Sequence, residues 1–100
     1  MDAEESRSRA TARTLVLKGH SDPVACLAAL DGGRLASGSW DNSVVIWNLV
    51  DGEQLATLEG HGGMVMGLAA LDGGRLASGG ADAIIIIWDL ANGTQLAKLG

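Results

Sequence analysis

The residues of this chain that could do chemistry are a serine, a histidine and an aspartate, arranged at a fixed spacing. The set occurs twice, 41 residues apart, as His20, Ser37, Asp41 and as His61, Ser78, Asp82. These are the residue types of a hydrolytic triad, which needs an exposed serine beside an oxyanion hole. Here each serine lies in the middle of a stretch that reads as a β-strand, so the sequence does not predict a hydrolase.

Other catalytic and ligand-binding patterns are also missing from the sequence. It has no metal-ligand spacing, no phosphate-binding loop and no convincing acid–base pair, so we expect no enzyme, no cofactor and no metal. The formal net charge of −5 argues against nucleic acid or an anionic membrane as a partner, because binding to phosphates needs a basic patch. No apolar run approaches the roughly 20 residues of a membrane span.

An internal repeat dominates the chain. The stretch LAALDGGRLASG at Leu27–Gly38 returns letter for letter at Leu68–Gly79. A Gly-His pair before it and a tryptophan after it return at the same offset. A period of roughly 40 residues is typical of repeat proteins in which each unit packs on its neighbours.

Each unit predicts four short strands, and neither unit has helical periodicity. Apolar and β-branched runs alternate with tight turns such as Asp31-Gly32-Gly33, in which glycine tolerates a positive φ. The predicted strands are Val24–Leu30, Arg34–Ser39, Val44–Leu49, Glu53–Leu58, Val65–Leu71, Arg75–Gly80, Ile84–Asp89 and Thr94–Leu99. The fold class is therefore all-β, with two four-stranded antiparallel sheets.

The residues before the first unit divide into two segments. Residues 1–13 are polar and charged, which predicts a flexible N-terminal tail. Thr14–Lys18 (TLVLK) predicts an extra outer strand, because it precedes the first Gly-His as Glu53–Leu58 precedes the second. The lone Cys26 permits no intrachain disulfide, and no signal peptide is evident. Both features favour a reducing, cytoplasmic (intracellular) location.

The two units resemble WD repeats, the blades of β-propeller proteins. The resemblance rests on the Gly-His pairs and on LASGSWDNSVVIWN and LASGGADAIIIIWD, and it covers Thr14–Gly100. It implies a first WD repeat at 19–59 and a second at 60–100. Asn48 departs from the family's terminal aspartate, which Asp89 keeps.

The resemblance also implies one buried, hydrogen-bonded tetrad in each repeat. The tetrads would be His20, Ser37, Asp41, Trp47 and His61, Ser78, Asp82, Trp88. A tryptophan indole only donates, serine and histidine do both, and an ionised aspartate only accepts. A chain from tryptophan through serine and histidine to aspartate can thus satisfy every member, which gives both histidines a structural role.

Two propeller blades leave two apolar sheet faces without a neighbour. If each face is roughly 500 Å², at about 25 cal/mol per Å² it represents on the order of 10 kcal/mol. That rivals the net stability of a small domain, about 5–15 kcal/mol. We therefore expect the fold to be incomplete as a single chain. Either copies form a ring, with three giving six blades and four giving eight, or the chain is a piece of a longer propeller. The surplus strand Thr14–Lys18 favours the longer propeller.

The resemblance implies a non-enzymatic scaffold that binds a protein or peptide through its top face, where the Gly-His loops lie. The candidate binding residues at the family's positions are Pro23, Ala25, Trp40, Met64, Met66 and Ala81. Trp40 is the strongest candidate because tryptophan is enriched at binding hot spots, although it could instead pack over its own turn. One alternative is a homo-oligomeric ring that binds a small ligand or glycan between blades, and another is a propeller piece without independent function. The mismatch between Trp40 and Ala81 disfavours a repeated ligand pocket.

Overall fold

Eight β-strands form two four-stranded antiparallel sheets in the computed structural model, which describes Thr14–Gly100. Residues 1–13, for which we expected a flexible tail, lie outside the described residues. The first sheet, blade 1, contains β1 (Val24–Leu30), β2 (Arg34–Ser39), β3 (Ser43–Asn48) and β4 (Gln54–Glu59). The second sheet, blade 2, contains β5 (Val65–Leu71), β6 (Arg75–Gly80), β7 (Ile85–Asp89) and β8 (Thr94–Leu99). Within the described residues there is no helix, which confirms the predicted all-β class.

Each sheet is a meander whose strands follow one another in chain order. The β1–β2 turn contains Gly32 and Gly33 with φ of 74° and 67°, and the equivalent turn of blade 2 has the same conformation. Only glycine enters this region without strain, which explains why Asp-Gly-Gly occurs in both repeats. These turns lie at the bottom of the blades, and the Gly-His loops and the β2–β3 and β6–β7 turns lie at the top.

Each blade has a front face, which carries the serine and tryptophan of the tetrad, and a back face. Residues paired across an antiparallel ladder share a face. In blade 1 the front face therefore carries Leu27 and Val45, the ladder partners of Ser37. The back face carries Val44, the ladder partner of Gly38, and Leu58 beyond it.

The core lies between the back of blade 1 and the front of blade 2. Ala36, Val44, Ile46 and Leu58 from blade 1 meet Val65, Leu76, Ile86 and Trp88 from blade 2, and all are buried. Val65 sits directly on Gly38, because a Cβ built on Gly38 would lie only 2.6 Å from Val65 Cγ1. The absence of a side chain at Gly38 thus allows the two sheets to approach.

The predicted extra strand Thr14–Lys18 is wrong, since this segment belongs to no strand. It nevertheless occupies an outer-strand position. A Cβ on Gly52 would lie 3.2 Å from Leu17, just as one on Gly93 would lie 3.7 Å from Leu58 of β4. The segment lacks ladder hydrogen bonds because the outer edges of β3 and β7 are already paired with β4 and β8.

The two top turns differ in their residue at a left-handed backbone position. Asn42 has φ of 74° in blade 1, and Ala83 has φ of 64° at the equivalent position of blade 2. The left-handed region is costly for residues with a Cβ, and asparagine tolerates it better than alanine. The strand β7 begins at Ile85 rather than at the predicted Ile84, whereas β3 begins at Ser43, one residue before the predicted Val44.

We predict that Ala83→Asn raises the free energy of unfolding by about 1 kcal/mol, because it relieves the left-handed alanine. The matched change in blade 1, Asn42→Ala, should lower it by a similar amount. Chemical denaturation of both variants measures the two values. Equal and opposite shifts are expected, whereas a loss of stability in Ala83→Asn would contradict the strain at this turn.

Candidate functional site

The first tetrad connects a top loop to two strands of blade 1. Trp47 Nε1 donates to Ser37 Oγ over 2.7 Å. Ser37 Oγ lies 2.7 Å from His20 Nε2, and His20 Nδ1 lies 2.9 Å from Asp41 Oδ2. The loop before β1 is thereby held to β2, to β3 and to the turn between them.

The second tetrad repeats this geometry in blade 2. Trp88 Nε1 and His61 Nε2 each lie 2.7 Å from Ser78 Oγ. His61 Nδ1 lies 3.1 Å from Asp82 Oδ2. The structure therefore brings together all eight side chains that the sequence assigned to tetrads, in two groups of four.

Hydrogen-bond roles in the tetrads leave the serines unavailable as nucleophiles. The ionised aspartate only accepts, so histidine Nδ1 donates, Nε2 accepts from serine, and serine accepts from tryptophan. Ser37 and Ser78 are both buried. Every buried side-chain nitrogen or oxygen among the described residues has a partner. This arrangement suits a structural network and lacks the exposed serine that a hydrolase needs.

The two aspartates are held in their charged form by donors around them. Burial raises the pKa of Asp41, but hydrogen bonds from the Ser43 hydroxyl, His20 and the N–H groups of Ser43 and Ser21 outweigh it, so the pKa lies well below its usual range. The pKa of Asp82 is also lowered: burial opposes this, and hydrogen bonds from the Gly62 N–H, His61 and the Ile84 N–H outweigh it.

Ser43 is a contributor that sequence reasoning missed. Its hydroxyl donates to Asp41 Oδ1 over 2.6 Å, and its N–H donates to the same oxygen over 2.9 Å. Blade 2 has Ile84 at the equivalent position, where only the N–H donates, over 3.2 Å to Asp82. The signal was a hydroxyl residue two positions after an aspartate, which is typical of an Asx-turn.

Asn48, which departs from the family pattern, accepts the same turn hydrogen bond as Asp89. Asn48 Oδ1 accepts from the Val50 N–H over 2.8 Å, and Asp89 Oδ1 accepts from the Ala91 N–H over 2.9 Å. The bottom turn needs an acceptor oxygen and not a charge, so an amide serves as well as a carboxylate.

The candidate binding residues lie on the top face in two equivalent groups. The Trp40 N–H donates to the Pro23 carbonyl over 3.1 Å, and the Ala81 N–H donates to the Met64 carbonyl over 2.8 Å. The ladders skip Ala25 and Met66, where β-bulges occur, and bulges often redirect side chains. Trp40 is 49% exposed and Met66 is 53% exposed. Pro23, Ala25 and Ala81 are exposed, and Met64 is half-buried.

Residues 14–100 contain no metal-binding cluster and no membrane-spanning helix. No group of three or more histidine, cysteine, aspartate or glutamate side chains is arranged there to hold a metal ion. In the same residues, no helix is long and apolar enough to cross a membrane.

Comparison with known proteins decides the family. The family described as "WD domain, G-beta repeat" matches residues 11–48 and 52–89, which together exceed half of the chain. The chain belongs to the WD-repeat family. This WD-repeat chain is thus a member of a family whose repeats generally mediate protein–protein interaction.

The WD-repeat chain is similar to short parts of much longer proteins. It is 44% identical over 52 residues to F-box/WD repeat-containing protein 7 of Drosophila melanogaster, covering 52% of this chain and 4% of that protein. It is 44% identical over 55 residues to WD repeat-containing protein 41 of Homo sapiens, covering 55% of this chain and 12% of that protein. The chain therefore spans a small fraction of the length of these relatives.

Solved structures with the same architecture are also longer. The RRP9 WD40 repeats superpose with a TM-score of 0.76 at 34% identity, covering 82% of this chain and 26% of that chain. The computationally designed Ika4 protein superposes with a TM-score of 0.75 at 26% identity, covering 86% of this chain and 53% of that chain. These likenesses confirm the fold.

We predict that His20→Ala and His61→Ala each cost about 1–3 kcal/mol of stability, because each leaves a buried serine hydroxyl without its acceptor and removes one donor from the aspartate. Thermal unfolding should show a lower melting temperature for both variants. Ser21→Ala is the matched control, since only the backbone N–H of Ser21 bonds to Asp41. An unchanged melting temperature in both histidine variants would contradict the structural role.

We predict that stability falls in acid because the folded-state pKa of Asp41 lies below its unfolded value. The unfolded state then binds more protons, so the stabilisation is complete above the unfolded pKa of about 4 and is lost as the pH falls through the folded pKa. Denaturation curves between pH 7 and pH 2 should show this loss. Asp41→Asn should be less stable at pH 7 and should show a weaker acid dependence; an unchanged slope would contradict the assignment.

Proposed function

We propose that this WD-repeat chain is a non-enzymatic interaction scaffold that binds a protein or peptide through its top face. The observation that supports the proposal most is the half-exposed Trp40, whose backbone is tied to the Pro23 carbonyl. Exposed tryptophans on rigid loops are typical of binding hot spots.

The tetrads support the proposal because they fix the loops that would make contact. His20 and Asp41 lie on the two loops beside Trp40, and their 2.9 Å bond joins those loops. A preformed surface loses less conformational entropy on binding than a mobile one. Met66 offers an adaptable apolar contact on the neighbouring blade.

Charge supports a protein or peptide partner over a polyanion. The chain carries a formal net charge of −5, and the exposed Asp22 lies in the same loop as Pro23. Nucleic acid and anionic membranes would be repelled by such a surface. We therefore propose a partner that presents an apolar side chain next to a basic one.

We propose that the scaffold lies in the cytoplasm. The lone Cys26 has no disulfide partner in the sequence, which fits a reducing compartment.

We also propose that the chain associates with copies of itself, because both outer sheet faces expose apolar side chains. A ring that binds a small ligand between blades is less favoured, since Trp40 and Ala81 would give unlike pockets.

Peptides selected from a displayed random library against the purified chain test the top face. We predict that Trp40→Ala weakens the selected peptides at least tenfold, about 1.4 kcal/mol, because it removes the apolar anchor. Fluorescence polarisation measures each dissociation constant. The control is Val50→Ala, a change to an exposed apolar residue near the bottom turn, which should leave the affinity unchanged.

The opposite pattern would reject this binding face. If the selected peptides bind Trp40→Ala as tightly as the unchanged chain, the top face is not the site. Loss of binding in Val50→Ala instead would point to the bottom.

A further inference from the structure

The outer faces of the two blades expose apolar side chains that the repeat suggests should be buried. On the front of blade 1, Val24 is 51% exposed and Leu27 is 60% exposed. On the back of blade 2, Ile85 is 48% exposed and Leu99 is 55% exposed. Exposed clusters of this kind on a soluble protein are typical of interaction surfaces.

The internal repeat shows how each exposed residue is packed at its equivalent position between the two blades. Val24 corresponds to Val65, which is fully buried under blade 1. Ile85 corresponds to Val44 and Leu99 to Leu58, and both of these are buried under blade 2. Among residues 14–100, the front of blade 1 is therefore covered only by Thr14–Lys18, whereas the equivalent face of blade 2 is covered by a whole sheet, and no other element packs on the back of blade 2.

The contact between Val65 and Gly38 has equivalent residues on the two outer faces, Val24 on the front of blade 1 and Gly79 on the back of blade 2. Val65 rests on Gly38, where an added Cβ would lie 2.6 Å from Val65 Cγ1. The residue corresponding to Gly38 is Gly79, and a Cβ added there meets no atom within 4 Å. The residue corresponding to Val65 is the half-exposed Val24. Within residues 14–100, the front of blade 1 thus presents an exposed valine, and the back of blade 2 presents a glycine that nothing covers.

We infer that a second copy of this chain docks head to tail, with Val24 of one copy on Gly79 of the next. The occupant is a copy because the matching faces belong to the same molecule and differ little from the pair already joined. Ala77 and Ile87 on the back of blade 2 repeat Ala36 and Ile46 on the back of blade 1. This inference rests on the proposed association between copies and does not depend on peptide binding at the top face.

The N-terminal segment lies where the incoming copy must sit. A groove of about 440 Å³ on the front of blade 1 is lined by Leu17, Val24, Leu27 and Trp47, among others. Thr14–Lys18 stands where β8 of the incoming blade would lie. It gives way because, among the described residues, a single hydrogen bond holds its backbone, 3.3 Å from Gln54 Nε2 to the Lys18 carbonyl, whereas β8 is paired with β7 along its length.

Head-to-tail contacts between identical chains either close into a ring or extend into a filament. Each copy contributes two blades, so a ring holds an even number of blades. A ring closes when each new contact repeats the packing of blade 1 on blade 2, as in β-propellers, which have about four to eight blades. We expect three or four copies.

Light scattering on the purified full chain is the first test. The expected result is one discrete mass of three or four protomers of 10.2 kDa each. Gly79→Val should reduce the mass to that of a monomer, because its side chain fills the space that Val24 of the next copy would take, and an added Cβ there meets no atom within 4 Å among the described residues. A folded monomer of the unchanged chain, or a polydisperse aggregate, would overturn the inference and favour a piece of a longer propeller.

Mixing two blocked variants is the sharper test. Leu27→Lys blocks the front of blade 1, and Gly79→Val blocks the back of blade 2. Each variant alone should be a monomer, and an equimolar mixture should form a complex of two protomers that grows no further. Dimers of either variant alone would indicate contact between like faces, and a mixture that stays monomeric would indicate no contact. Both results overturn the inference.

Control variants show whether a change in mass comes from this surface, from unfolding or from the top face. Val50→Lys, on an exposed residue of neither sheet face, should keep the wild-type mass. Trp40→Ala should also keep it, even where it abolishes peptide binding. Circular dichroism and a cooperative melt show that each blocked variant is folded. If one is not, Val24→Lys replaces the front variant or Ile85→Lys the back variant, since both positions are half-exposed.

Discussion

The contact between the back of blade 1 and the front of blade 2 is the interaction on which the rest of the structure depends. A single four-stranded sheet has an apolar face on each side and cannot bury either alone. Here Val65 enters the space left by Gly38, so that Leu76 and Trp88 reach the blade 1 core. Trp88 can be buried because its indole N–H is satisfied by Ser78.

The tetrads connect the packed strands to the loops at the top surface by hydrogen bonds. Trp47 lies on β3, and its chain of bonds through Ser37 ends at the carboxylate of Asp41, one residue from Trp40. The same carboxylate accepts from Ser43, which begins β3. The exposed loops of each blade are therefore attached to its buried strands, which is how a small amount of polar bonding positions a surface that could recognise a partner.

Much of this arrangement could be predicted because the same landmark residues occur twice in the sequence, 41 residues apart. The landmark spacing predicted both sheets, and the resemblance to WD repeats implied both tetrads, whose members have defined donor or acceptor roles. Thr14–Lys18 was predicted wrongly, because a strand needs a free edge and pattern alone does not reveal one. Ser43 was missed because its role depends on the turn bringing its hydroxyl to Asp41. The exposure of Trp40 and Met66 could not be predicted either, because side-chain exposure depends on the tertiary neighbours and the β-bulges.

The most direct measurement of the central claim compares two repeat-equivalent glycines in one background. Gly38→Val and Gly79→Val are each made in a Leu27→Lys, Cys26→Ala chain, and equilibrium denaturation gives their free energies of unfolding. The first change blocks contact between copies. The second removes Cys26 Sγ, which lies 2.6 Å from a Cβ built on Gly38 and has no counterpart at Gly67 in blade 2. Gly38→Val should lose about 1–3 kcal/mol, because the new side chain collides with Val65 between the blades. Gly79→Val should lose almost nothing. Equal losses at the two positions would contradict the packing of blade 1 on blade 2 described here.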